Sequence, residues 1–80
     1  MRVRINWEHK RVKHAIERMW LRGISVREVH EAVVKGRRAI QRETGLVRTI
    51  YRHFVVVYEE RLQRDAGIRK VFPVTVKVVG

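Results

Sequence analysis

An α+β domain is predicted, with element order β-α-α-β-β-β-β and a two-helix layer packed on a curved antiparallel sheet. Two observations point there. Apolar residues recur at helical spacing between residues 8 and 36, in two blocks divided by a glycine and a capping box. From residue 38 onward they recur every second residue, in runs divided by turn residues.

Arg2 to Trp7 reads as the opening strand, with Val3, Ile5 and Trp7 on one face. Asn6 is placed to cap the following helix, because its side chain can accept from orphan backbone N–H groups. That helix is expected from about Glu8 to Leu21. Its buried stripe would be Val12, Ala15, Ile16, Met19 and Trp20, and Gly23 would end it as a left-handed cap. Ser25-Val26-Arg27-Glu28 is a capping box opening a second helix, with Val26, Val29, Ala32 and Val33 on its apolar face and Gly36 closing it. The short link between the helices implies a helical hairpin.

Arg38 to Glu43 reads as a polar strand, Thr44-Gly45 as a hairpin turn, and Leu46 to Arg52 as the next strand. Another tight turn is expected near His53. Phe54 to Tyr58 is apolar at every position, which suits a central strand. Gln63 to Gly67 is a polar turn, and Arg69 to Val79 is the last strand. Pro73 cannot donate to a ladder, so an edge position or a bulge is expected there. Trp7, Trp20 and Tyr58 read as core, with the tyrosine hydroxyl on a partner.

A chain of 80 residues with a 45% hydrophobic fraction builds one core, and 1–80 reads as a single domain. Cysteine is absent, so disulfides and thiolate zinc sites are excluded. The four histidines and few acids show no ligand spacing, so neither a metal nor another cofactor is expected. No apolar run approaches the roughly 20 residues that span a bilayer, and the N-terminus, with charged and apolar residues alternating, lacks the apolar block of a signal peptide. The expectation is a cytoplasmic protein without a membrane partner.

Charge narrows the function. Lys and Arg number 19 against 8 Asp and Glu, a formal +11, and arginine supplies 14 of the cations. Such a surface attracts polyanions, and the guanidinium fork matches phosphate oxygens. Thermophile enrichment adds charges of both signs, whereas acids are scarce here. From charge alone nucleic acid is the expected partner, with an acidic protein or an anionic membrane surface as the alternatives.

His14-Ala15-Ile16-Glu17-Arg18-Met19-Trp20-Leu21-Arg22-Gly23-Ile24-Ser25 resembles the signature of a small, uncharacterised prokaryotic domain family grouped with the RelE/ParE superfamily of type II toxins. Its pattern is a histidine, an Arg-Met pair four and five residues on, then Arg-Gly-Ile and a capping serine. The Val56-Val57-Tyr58 and Val74-Thr75-Val76 strands fall in the order seen in that family. The resemblance implies a RelE-like fold, a role as an endonuclease acting on free or ribosome-bound mRNA, and an acidic antitoxin as partner. It supplies no catalytic set, because these residues do not match those of well-studied RelE enzymes.

The residues themselves suggest two sets. His14, Arg18 and Arg22, at i, i+4 and i+8, lie in one broad stripe of the first helix, joined by Arg11. His14 can move a proton near neutrality, and Arg18 or Arg22 can clamp a phosphate, as metal-free attack by a 2′-OH requires. The plainer reading is that they orient the helix. In the second set Arg48 and Arg52 share one strand face, and Thr49, Tyr51 and His53 share the other, a combination suited to holding a nucleotide by charge and stacking. Arg37 and Arg38 add a phosphate contact or complement the helix dipole. A non-catalytic nucleic-acid-binding module and a protein-directed toxin or interaction domain remain the alternatives, and a homodimer is compatible with either.

Overall fold

The computed structural model describes residues 2–10 and 12–79. The elements are β1 (Arg2–Ile5), α1 (Val12–Arg22), α2 (Val26–Lys35), β2 (Arg37–Ile40), β3 (Val47–Tyr51), β4 (Phe54–Gln63) and β5 (Ile68–Val78). The predicted α+β class and element order hold. The sheet is not wholly antiparallel. Its order is β1-β5-β4-β3-β2, and β1 runs parallel to β5 while the other neighbours are antiparallel. The helices carry the chain from one sheet edge to the other. Three hairpin reversals then return β5 to β1, in the same direction.

The sequence places the first helix too early. Asn6 Oδ1 accepts from the N–H of Glu8 at 2.9 Å and of His9 at 3.1 Å. The side chain thus closes a local turn instead of capping a helix, β1 ends at Ile5, and α1 begins at Val12. The other end behaves as expected. Gly23 has φ +67, and the N–H groups of Ile24 and Gly23 donate to the carbonyls of Met19 and Trp20. This is a Schellman cap, sealed by the buried Ile24 and Met19 side chains.

Only Val12, Ala15 and Met19 of α1 are buried; Trp20 is 81% exposed, contrary to its core assignment. The helix packs chiefly on one strand, β5, so its buried stripe is narrow, and Trp20 lies about 100° round from Met19. Val26, the first helical residue of α2, is likewise exposed, while Val29, Ala32 and Val33 are buried. The capping box forms as predicted: Ser25 Oγ accepts from Glu28 N–H, and the Glu28 carboxylate accepts from Ser25 N–H.

Gly36 has an extended backbone, so it is not there for a left-handed turn. A Cβ at this position would collide with Thr49 Oγ1 and the Ala32 carbonyl. The buried Thr49 hydroxyl donates to that carbonyl at 3.0 Å, tying β3 to the end of α2. β2 stops at Ile40, short of Glu43. Gly45 N–H donates to the Gln41 carbonyl, and Thr44 Oγ1 accepts from Leu46 N–H, so these residues form the turn. Arg52 occupies the next turn at φ +53. Pro73 sits at a bulge, where the β4–β5 register shifts after Val57 and the β1 pairing has already ended at Val71.

One core joins both helices to one sheet face. It contains Met19, Val29, Ala32 and Val33 from the helices and Val47, Phe54, Val56, Tyr58, Val71 and Val76 from the sheet, with Val3, Ile5, Trp7 and Tyr51 packed around it. Its polar margin is Glu60, which accepts from Arg38 at 2.9 Å and from Arg69 at 3.2 Å. Beside this group, and near the Arg69 guanidinium, the buried Tyr58 hydroxyl makes no hydrogen bond of good geometry among the described residues, contrary to expectation. Burial pushes its pKa above the ordinary phenol value.

Candidate nucleic-acid interface

Side chains alternate along a strand, so the register that assigns the core to one face assigns the remaining residues to the other. That outer face carries Arg2 and Arg4 from β1, Arg37 from β2, Arg48 from β3, Arg61 from β4, and Lys70 and Lys77 from β5. Glu59 is its only acid among the described strand residues, and it accepts from Arg61 Nε at 2.8 Å.

Three of these cations form a row. Arg61 is the register partner of Lys70, and Lys70 is the partner of Arg4. Neighbouring strands lie about 4.8 Å apart, and like charges directly opposite one another destabilise a sheet. Three in register across β4, β5 and β1 repel one another. Glu59 pairs with Arg61 at one end and Glu8 stands near Arg4 and Lys70 at the other, and an anion lying along the row would relieve the repulsion further. Arg61 also lies over the Phe72 ring, 5.0 Å from its centroid, and His9 meets that ring edge-on at 5.4 Å. Phe72 is itself buried, so it is a support on which Arg61 and His9 pack. Other acids are committed elsewhere: Glu28 to the helix cap, Glu31 to the Tyr51 hydroxyl, and Glu60 to Arg38 and Arg69.

The sequence candidates distribute unevenly over this frame. Arg37 and Arg48 fall on the outer face. Arg38 points to the opposite face and pairs with Glu60. Tyr51 packs against the core, and its hydroxyl donates to Glu31 Oε2 at 3.1 Å, so it is a packing residue. Arg52 and His53 lie in the β3–β4 turn and share no strand face. Arg52 covers the Tyr51 ring at 5.2 Å, and His53 meets Phe54 edge-on at 5.4 Å.

On α1 the structure joins His14 to Arg18, whose Nε donates to His14 Nε2 at 3.3 Å. Arg22 is exposed in the last turn, where a cation complements the helix dipole. Arg11 lies outside the described residues. Sequence reading missed Arg2, Arg4, Arg61, Lys70 and Lys77. The alternation of Arg2-Val3-Arg4-Ile5 was the available signal, but the cation row needs the parallel β1–β5 register, which is not local.

A cavity of about 530 Å³ opens at one end of the row, lined by Arg4, Ile5, Asn6, Trp7, Glu8 and Lys70. No helix among the described residues is long and apolar enough to cross a membrane. Comparison with family models, curated proteins and solved structures found no match.

Proposed function

We propose that this protein binds RNA across the outer face of its sheet and, where the strand rounds the β1 edge towards α1, cuts it without a metal, as a toxin of RelE/ParE type. The observation that carries the binding step is the row Arg61–Lys70–Arg4, three cations in register whose mutual repulsion a phosphate backbone relieves. Strands spaced about 4.8 Å apart offer cations at a pitch that a flexible single strand can follow.

The cutting step is supported by the His14–Arg18 pair, a proton carrier held beside a permanent cation. The RNA 2′ oxygen forms a bond to phosphorus while the bond from phosphorus to the 5′ oxygen breaks. Arg18 turns from His14 Nε2 to the phosphorane, whose charge it offsets; the freed Nε2 takes the 2′-OH proton, and water gives a proton to the departing 5′ oxygen. The products are a 2′,3′-cyclic phosphate and a 5′-hydroxyl. An acidic antitoxin would inhibit by covering the same positive surface.

The test incubates purified protein with RNA, and separately with translating ribosomes, under chelator, and maps the ends. Cyclic phosphate ends that disappear in His14→Ala, with RNA affinity unchanged, support the proposal. Binding without any cleavage reduces the protein to an RNA-binding module. Cleavage undiminished in His14→Ala removes the histidine from the chemistry.

A further inference from the structure

We infer that the cavity at the end of β1 is a nucleotide subsite, which takes one base of the bound strand against Trp7 and its phosphate between Arg4 and Lys70. The inference rests on the RNA-binding reading and adds to it a place where a base is held. Its volume, about 530 Å³, lies within the roughly 300–1,000 Å³ range of small-molecule sites.

The lining has the chemistry of a nucleotide site. Trp7 is half-buried, packed against the core yet lining the cavity. A ring held in this way supplies a stacking surface whose ordering is already achieved in the free protein. Arg4 and Lys70 are register partners on adjacent strands, so their charges converge on one anion. They are also two members of the cation row, so a strand lying on the row leads into the cavity.

Asn6 and Glu8 provide the polar edge. Asn6 lines the cavity with its Oδ1 engaged in the turn, and its amide group is a hydrogen-bond donor. The Glu8 carboxylate is a strong acceptor at the cavity wall, suited to an exocyclic amino group or a ribose hydroxyl. A carboxylate beside the phosphate position would weaken a simple anion site. Its presence favours a ligand with donors as well as charge.

The test uses Trp20→Phe, a change at an exposed side chain, so that Trp7 is the single tryptophan, excited selectively over the two tyrosines at the long-wavelength edge of the indole band. The protein is titrated with adenosine and uridine monophosphates, with ribose 5-phosphate, with inorganic phosphate and with a short oligoribonucleotide. The expected result is saturable quenching of Trp7 by a nucleoside monophosphate and by the oligonucleotide. Ribose 5-phosphate and phosphate should bind at least about tenfold more weakly, since stacking is absent. Arg4→Ser and Lys70→Ser should each weaken the nucleotide about tenfold.

Equal binding of ribose 5-phosphate and the nucleotides overturns the base subsite and leaves an anion site. Oligonucleotide binding without any nucleotide effect on Trp7 overturns the subsite while the RNA-binding reading stands. Nucleotide quenching without oligonucleotide binding keeps the subsite and removes the reading it rests on. Wild-type-like unfolding of Arg4→Ser and Lys70→Ser separates loss of the site from loss of the fold.

Discussion

Of the described glycines, Gly36 is the one that a neighbouring side chain, Thr49, holds to glycine. The glycine leaves room for the threonine hydroxyl to reach the Ala32 carbonyl, and a methyl group there meets both. Gly36→Ala is expected to destabilise the fold by about 2 kcal/mol or more, measured by urea denaturation. Adding Thr49→Ala should restore little, because the Ala32 carbonyl still blocks the methyl. Glu28 gives a residue-scale pH dependence. The hydrogen bonds from Ser25 hold its carboxyl below the usual glutamate range. The bonds to Ser25 stabilise α2 fully above the pKa of the unfolded chain, and this contribution is lost as pH falls through the lower folded value. The unfolding midpoint should drop across that acid window, and Glu28→Gln should flatten the drop.

At the scale of elements, Glu60 links β2 and β5 through Arg38 and Arg69 while standing on β4. Its side chain is 10% exposed. Glu60→Ala leaves two arginines without their acceptor and should cost about 2 kcal/mol, a figure reduced for the exposure of Arg38. The cation row predicts the opposite sign. Lys70→Gln removes the middle of three like charges and should stabilise the free protein by a few tenths to about 1 kcal/mol, while weakening RNA binding. If thermal unfolding shows Lys70→Gln to be less stable, the row is not a source of repulsion. The element order was legible because the hydrophobic period changes from helical to alternating after Gly36, and the caps at Gly23 and Ser25 are local chemistry. The start of α1 was not, because Asn6 suits a cap or a turn equally and only the partners of its Oδ1 distinguish them. Trp20 was misplaced because periodicity fixes a helix's apolar side and not how wide a neighbour covers it.

For the whole molecule, the legible quantity was the excess of positive charge, and the hidden one was where it gathers. Arg37 and Arg48 could be singled out from their own segments. Arg61, Lys70 and Arg4 become one feature only when β5 enters between β1 and β4, a pairing of chain ends that local patterns do not encode. The central claim is that RNA lies on this row. It is tested most directly by the salt dependence of binding to a single-stranded oligoribonucleotide. The comparison is between wild type, a variant with Arg4, Lys70 and Arg61 all changed to serine, and an equally charged control with the exposed Arg27, Arg42 and Arg64 changed to serine. Contact of three phosphates by the row predicts that the slope of log affinity against log salt falls by about 2 in the row variant, with little change in the control. Equal slopes in the two variants, or wild-type affinity that does not respond to salt, would contradict it.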